Sequence, residues 1–329
     1  MTLTVEVFGA RAVARARAAV IVPACDEAER IGACLDALAA QDGRRDCAVT
    51  VCVNNTGDAT AEIVRDRARR HRLVLILAEV QLPRGGVGRA RRLGHLLAMR
   101  HSPMAWALLS TDADCVAAPG WLSAMRHALR GSAAVLGRIE GLDDLPPPLM
   151  AAVCGAGRTE DSYMRLSLEF ARLVSDAGAT PLGLNTAGGA NLGIRRDVYR
   201  AVGGFRALPS REDRELVDRI VAAGHRAIRS DEALVRASMR PDGRAPGGMA
   251  DKIRDRLAGA AGPLDSALAP VGAMVSRCLG QGAAACDAFS SPQAERELTI
   301  LARHVEALRR LDGPAARRRY LSSVDPALP

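Results

Sequence analysis

Lysine is almost missing from this chain: of 45 basic residues only Lys252 is not an arginine. Aromatic residues are 3% of the total, so a core has to be assembled from Ala, Val, Leu and Ile. The same scarcity, together with the lack of any nucleic-acid fold signature, argues against a nucleic-acid partner. Eight cysteines are present (Cys25, Cys34, Cys47, Cys52, Cys115, Cys154, Cys278 and Cys286), but no Cys-x-x-Cys pair, which speaks against zinc ribbons. They read as reduced thiols, several of them small core residues. The six histidines are scattered without an H-x-x-x-H spacing, and no Ser/His/Asp or Cys/His set stands out. No uncharged apolar run reaches the ~18 residues a membrane-spanning helix needs. Arg11, Arg15 and Arg17 interrupt the N-terminal apolar residues, so no secretory segment is expected and a cytoplasmic location is. The Ala- and Gly-rich stretch 257–289 holds Asp265, Arg277 and Asp287. It suits peripheral contact with a membrane face better than a span.

What is present is ordinary for a soluble protein: 329 residues, 48% hydrophobic and 25% charged. That length corresponds to roughly two domains, or one large α/β domain with an appendage. The net charge of +8 has two readings. Arginine binds phosphate bidentately, which suits an anionic partner. The joint excess of Ala, Gly and Arg is also what a GC-rich coding sequence gives, and that reading is the simpler.

Apolar runs at 18–23, 48–53, 73–77, 106–111 and 133–139 read as buried strands. Helical patterns separate them. One is opened by Asp26 and Glu27 and continues through Ile31, Leu35 and Leu38. Others follow over 59–70, after the Gly-rich stretch 85–88, and from Pro119. Strand and helix alternate over the first ~140 residues, as in a doubly wound sheet. The run Asp143 to Pro148 breaks the alternation. A long helix over 159–176 follows, then a small-residue stretch at 185–196 that lets a ligand or another strand approach closely. Ser210 with Asp213 fits a capping box at the start of a later helix.

The most informative strand end is Ser110-Thr111-Asp112-Ala113-Asp114. Open parallel sheets bind ligands at the carboxyl ends of their strands. Two carboxylates released together there repel each other unless a proton or cation intervenes. Mg2+ and Mn2+ sites coupled to phosphates are built from one or two such groups. Read alone, either aspartate could equally cap the next helix or tighten a turn. Other polar groups fall at neighbouring strand ends: Pro23 to Glu27, Asn54 to Asp58, and Arg91 with Arg92. An acidic pair, Glu212 and Asp213, enters a later helix.

In this order the pieces resemble the family 2 glycosyltransferases. The matching segments are VIVPACDE at 20–27, VNNTGDAT at 53–60, GVGRARRLG at 86–94, STDAD at 110–114, GGANLGIRR at 188–196, GGF at 203–205 and EDREL at 212–216. The resemblance implies the α/β GT-A (Rossmann-like) fold: a mixed, mostly parallel sheet flanked by helices, here with a helical or irregular C-terminal extension. It implies a nucleotide-sugar-binding half over 1–145 and an acceptor-side half carrying the catalytic base over 146–245. Residues 246–329 match no motif. Pro23, Glu27, Asn54, Asn55 and Asp58 would lie about the nucleoside. Arg91 or Arg92, and a loop with Arg240 and Arg244, would approach the diphosphate. Asp112 would contact the ribose or the metal, and Asp114 would ligate Mn2+ or Mg2+. Asp213, beside Glu212, would be the general base, and transfer to a small-molecule, glycan or lipid-linked acceptor would mostly invert the anomeric centre. Two other readings stay open: a sugar nucleotidyltransferase, although 23–27 lacks its glycine-rich loop, and a non-catalytic binding or scaffold protein.

Overall fold

The computed structural model describes residues 3–83, 86–174, 186–243, 247–260, 264–281 and 289–324. In chain order the strands are β1 (Leu3–Phe8), β2 (Ala18–Ala24), β3 (Cys47–Asn54), β4 (Leu75–Val80), β5 (Ala107–Ser110), β6 (Cys115–Ala117), β7 (Ala134–Gly141), β8 (Leu192–Arg195) and β9 (Ala227–Ala237). The helices interleaved with them are α1 (Ala10–Arg15), α2 (Ile31–Ala39), α3 (Thr60–Arg70), α4 (Gly86–His101), α5 (Trp121–Arg130), α6 (Pro147–Val174), α7 (Arg196–Ala201) and α8 (Glu212–Ala222). Four more close the chain: α9 (Met249–Leu257), α10 (Val271–Cys278), α11 (Ser291–Arg309) and α12 (Gly313–Ser323).

All nine strands join one sheet in the order β1-β4-β3-β2-β5-β8-β7-β9-β6. The block β4-β3-β2-β5 is parallel. β8 then runs antiparallel between β5 and β7, and β1 and β6 close the edges antiparallel. The sheet is therefore mixed, as the resemblance implied. The apolar runs explain its burial. β2 alternates Val20 and Val22 into one core layer and Ala19 and Ile21 into the other, the period of two a pleated strand imposes. The first layer holds Leu35, Val51, Leu75, Trp121 and Met125. The second holds Leu108, Ile194, Tyr199, Phe205, Leu216 and Ile220. Helix α4 lies so near β2 that a Cβ on Gly94 would come within 2.7 Å of Ile21.

Two units divide the chain. The sheet unit is Met1–Asp144 with Ala187–Ala250. The second is Leu145–Thr186 with Asp251–Pro329. Within the second, α6 packs on α11 and α12 through Tyr163, Phe170, Leu301, Val305 and Leu308. Glu160 there accepts from Lys252 at 2.6 Å and from Arg256 at 2.9 Å. The division cuts across the stretch 146–245, since α6 packs with the C-terminal helices.

Several local expectations change. The N-terminal lead-in is a strand: Leu3 to Phe8 pair with β4 as an edge. The helix expected to open at Asp26 and Glu27 starts at Ile31. Asp26 sits at φ 51, and the Glu27 carbonyl accepts the amides of Arg30 and Ile31. The small-residue stretch turns into β8, with the other strand of the two alternatives, β5, as its neighbour. Helix α8 has Arg211, not Ser210, as its N-cap, with no side-chain cap bond, so the capping box does not form.

Candidate active site

The parallel strands β2, β3 and β5 end at one edge of the sheet. There the loops after β2 and β5 meet Ser238 and Arg240, and Arg91 joins Asp112 to Gly189 and Glu212. The loop after β3 braces the one after β2. Arg91 is the hub of the inner part. It lies on α4 and is 3% exposed. Its Nε donates to Glu212 Oε1 at 3.0 Å, and its Nη1 to Ser110 Oγ at 2.6 Å and to the Gly189 carbonyl at 2.7 Å. Its Nη2 pairs with Asp112. A Cβ on Gly189 would sit 2.2 Å from the Arg91 guanidinium carbon, so only glycine leaves room for that contact. Burial works against the Arg91 charge, but Asp112, Glu212 and Asp213 outweigh it and hold the guanidinium charged. Burial raises the pKa of Glu212 against the pull of Arg91. His95, one turn along α4, donates from Nδ1 to the Arg91 carbonyl at 2.8 Å and stacks on Tyr199 at 4.8 Å.

Asp213 joins this network from the other side. Its Oδ2 accepts the Gly189 amide at 2.6 Å, and its Oδ1 accepts that of Arg214 at 2.7 Å. It is half-buried, whereas Glu212 beside it is closed in. Gly189 therefore links Asp213 by its amide and Arg91 by its carbonyl.

The outer part is built around Arg240. Its Nη2 pairs with Glu27 Oε1 and lies 3.3 Å from Asp114 Oδ2. The loop carrying it is fixed by Asp144, which accepts from Ser238 Oγ at 2.6 Å and from the Met239 amide at 2.8 Å. Glu27 is buried, its Oε2 finds no hydrogen-bond partner among the described residues, and its amide donates to Thr60 Oγ1 at 2.8 Å. Burial, then Asp112 and Glu27, push the Asp114 carboxyl up to about 6 against the opposing charge of Arg240.

Not every expected residue is at this site in the expected role. Arg91 is inside, but its donors go to protein groups, so it positions Asp112 rather than offering itself to a diphosphate. Arg92 turns away and donates to the Phe205 carbonyl at 2.6 Å. Successive helix residues point about 100° apart, so neighbours in sequence need not share a face. Asn55, at φ 52, uses both ends of its amide on the Leu82 backbone, at 2.8 and 2.9 Å. Asp58 accepts from the amides of Ala28 and Thr60 at 3.0 and 2.9 Å, and so ties the loop after β2 to the start of α3. Asn54 ends β3 half-buried, and Pro23 is buried within β2 opposite Cys52. Glu212 is buried and pairs with Arg91 at 3.0 Å. Arg244 lies outside the described residues.

Other participants were not singled out individually, although Ser110 and Gly189 lie within the matching segments at 110–114 and 188–196. Ser110, Gly189, Asp144 and Ser238 reach the site across up to about a hundred residues of sequence. Asn191 accepts from Trp121 Nε1 at 2.8 Å and donates to the carbonyls of Arg138 and Ala233, both at 2.7 Å. It pins α5, β7 and β9 together beneath the loop.

A divalent cation fits the donor set. Ligand atoms of Asp112, Asp114 and Cys115 lie within 4.8 Å of one another. The carboxylates are hard oxygen donors suited to Mg2+ or Mn2+. The Cys115 thiol is held well above its ordinary pKa by burial and by both aspartates, and stays protonated. Burial raises Asp114 most, and the repulsion from Asp112 and Glu27 that adds to it is what a bound cation would relieve.

A mixed sheet with acidic groups at its central strand end, and a carboxylate delivered from a later helix, defines a glycosyltransferase of the GT-A fold. The family described as "Glycosyltransferase like family 2" matches residues 16–252. The chain belongs to that family of glycosyltransferases. No curated protein matches it. Among solved structures it is similar to mannosyltransferase PcManGT from Pyrobaculum calidifontis in complex with GDP-Man and Mn2+. The identity is 22% and the TM-score 0.53, over 94% of this chain and 86% of that one. It is also similar to S. aureus TarS 1-349, at 14% identity and TM-score 0.51, over 93% and 90%. The same TarS segment with UDP-GlcNAc gives 15% and 0.51, over 93% and 90%. At these identities the likenesses bear on the fold.

Proposed function

We propose that the protein moves a sugar from a nucleotide-sugar donor to an acceptor hydroxyl by a single displacement, with a divalent cation at Asp112 and Asp114 and Asp213 as general base. The observation that carries this reading is one continuous chain of contacts. It runs from Asp213 through Gly189 and Arg91 to Asp112, so that the base and the metal-binding acids share one buried support. PcManGT with GDP-Man and Mn2+, and TarS with UDP-GlcNAc, supply the precedent for the ligands.

Asp213 takes the proton of the acceptor hydroxyl, its carboxylate oriented by the Gly189 amide. Glu212 and Arg91 neutralise each other, keep Asp112 in place and leave Asp213 as the accessible acid of the pair. Arg240 balances Glu27 and Asp114 and is the cation placed to meet a diphosphate at the rim. A bound divalent ion supplies electrostatic stabilisation of the departing diphosphate. Displacement by one nucleophile on the opposite face inverts the anomeric carbon. Residues 1–145 then serve the donor, the stretch 187–245 the acceptor side, and the sugar, base and acceptor class follow from assay.

The test starts with thermal shifts on a panel of UDP-, GDP- and dTDP-sugars with Mn2+ and Mg2+. A donor at a hundredfold excess over its Kd raises apparent stability by about 2.7 kcal/mol. With that donor, Asp213→Asn is expected to keep donor affinity and to lower transfer by about 10²–10⁴-fold, the usual worth of a positioned base. NMR of the product reads the anomer. Equal loss of binding and turnover in Asp213→Asn would overturn the assignment, and a retained anomer would overturn the single displacement.

A further inference from the structure

At the opposite end of the same strands lies a second concave surface that the transfer chemistry does not use. It is a groove of about 930 Å3, lined by Arg17, Arg126, Arg130, Arg195, Arg196 and Arg200, with Asp46 and Asp197. Its floor is continuous backbone. The Arg17 amide donates to the Asp46 carbonyl at 3.0 Å, the Trp106 amide to that of Arg17 at 3.0 Å, and the Arg196 amide to that of Trp106 at 2.8 Å. These residues stand at the starts of β3, β2 and β5 and the end of β8, so adjacent strands present them side by side at spacings of about 4.8 Å. The candidate active site lies about 20 Å away, one strand length along the sheet.

The charges in the groove do not cancel. Asp46 pairs with Arg126 at 3.0 Å, and Asp197 pairs with Arg195. The Arg196 guanidinium is held by the carbonyls of Ser102, Pro103 and Met99 at 3.2, 2.6 and 3.1 Å. Arg17, Arg130 and Arg200 are exposed, and among the described residues their guanidiniums make no ion pair, although the Arg17 amide donates to Asp46 Oδ1 at 3.3 Å. Six arginines against two aspartates leave the groove four positive charges, half of the +8 carried by the whole chain. Partial burial first, and then the neighbouring charge of Arg200, lower the pKa of Arg196. The volume falls within the range of about 300–1,000 Å3 typical of small-molecule sites. Three planar guanidinium forks around one concavity match the oxygens of phosphate better than a single carboxylate.

We propose that this groove is a binding site for a multiply charged phosphate anion, separate from the sugar-transfer site. Its chemistry is that of a phosphate monoester or a condensed phosphate, whether in a soluble molecule or in a lipid headgroup.

Trp106 lines the groove, and the other tryptophan, Trp121, is fully buried on Asn191, so Trp106 fluorescence reports binding there. The probe is tripolyphosphate, titrated at low ionic strength without divalent cations. The proteins compared are the wild type, Asp114→Ala, and the triple variant Arg17→Gln, Arg130→Gln, Arg200→Gln, whose fold is checked by thermal melting. The expected result is saturable binding by the wild type and Asp114→Ala alike, weakened at least tenfold in the triple variant. Sedimentation with phosphatidic-acid vesicles, lost in the triple variant and competed by tripolyphosphate, would support the site with a lipid source. Absence of saturable binding to either probe would overturn it, as would equal binding by the wild type and a folded triple variant.

Discussion

The inner and outer parts of the candidate active site are each organised by one arginine, and they differ in nearly every other respect. Arg91 comes from a helix packed on the sheet, is 3% exposed and has each of its three guanidinium nitrogens bonded to protein groups. Arg240 comes from a loop, is half-buried and bridges two acids, one of which also belongs to the cation-binding pair. The difference separates support from function. A fully satisfied buried network fixes geometry and is costly to open. Of the two Arg240 contacts, that with Asp114 is the looser, at 3.3 Å with Asp114 the more exposed partner, whereas Glu27 is closed in. The inner part therefore sets where Asp112 and Asp213 stand, and the outer part is where a ligand can replace a protein contact.

The strongest way to break this comparison is to remove each arginine in turn. Arg91→Met is expected to lower stability by about 3–5 kcal/mol in urea unfolding, because Glu212 is left buried without its counter-charge, and to abolish transfer with it. If Arg240→Met cost as much, the two parts would not differ in kind.

His95 sharpens the inner half through pH. Burial first, with the charge of Arg91 adding, pulls its pKa down to about 3 from an ordinary 6.5, so in the fold it stays neutral. Below pH 6.5 the unfolded chain takes up a proton that the folded chain refuses. The stability His95 contributes is therefore complete above pH 6.5 and is lost as pH falls toward about 3. Between pH 6.5 and 5 the expected loss is about 2 kcal/mol, at ~1.4 kcal/mol per pH unit. Asp114, raised to about 6, tilts stability the other way over this interval, so the His95 contribution is read as the difference between the wild-type and His95→Phe slopes. An unchanged slope would place the titration elsewhere.

Smaller effects separate the two asparagines. Asn55→Ala removes both amide bonds to Leu82 and should cost about 1–2 kcal/mol in stability. Asn54→Ala should leave the melting temperature unchanged and alter donor affinity. The reverse pattern would move the nucleoside contact to Asn55. Last, Arg240→Met should weaken donor binding measured by calorimetry, and it should cost stability too, because Glu27 is left buried without its counter-charge, though less than Arg91→Met, which strands both Glu212 and Asp112.

Much of this arrangement could be read before the fold was seen. Alternating apolar runs announced the strands, since a strand buried on both faces must be continuously apolar. The order of the short polar segments pointed to the family and to Asp112, Asp114 and Asp213. What could not be read depends on direction in space. Edge strand β1 is only half-buried and gives a weak pattern. Helix α6 was expected only from residue 159, yet it begins at Pro147, since proline is tolerated in a first helical turn.

By itself, then, the sequence determined the element alternation and the acidic strand end, because periodicity and spacing are local properties. Only the tertiary structure decided that Arg91 faces inward and Arg92 outward, that Glu212 is a counter-ion while Asp213 stays accessible, and that Asn55 and Asp58 hold loops together. Those assignments depend on which carbonyls and carboxylates the rest of the chain brings within hydrogen-bonding distance. Arg91 and Glu212 are 121 residues apart, and no local pattern encodes such a partner. The same holds for the arginine groove, whose residues are scattered along the chain and meet only because the ends of four strands lie side by side.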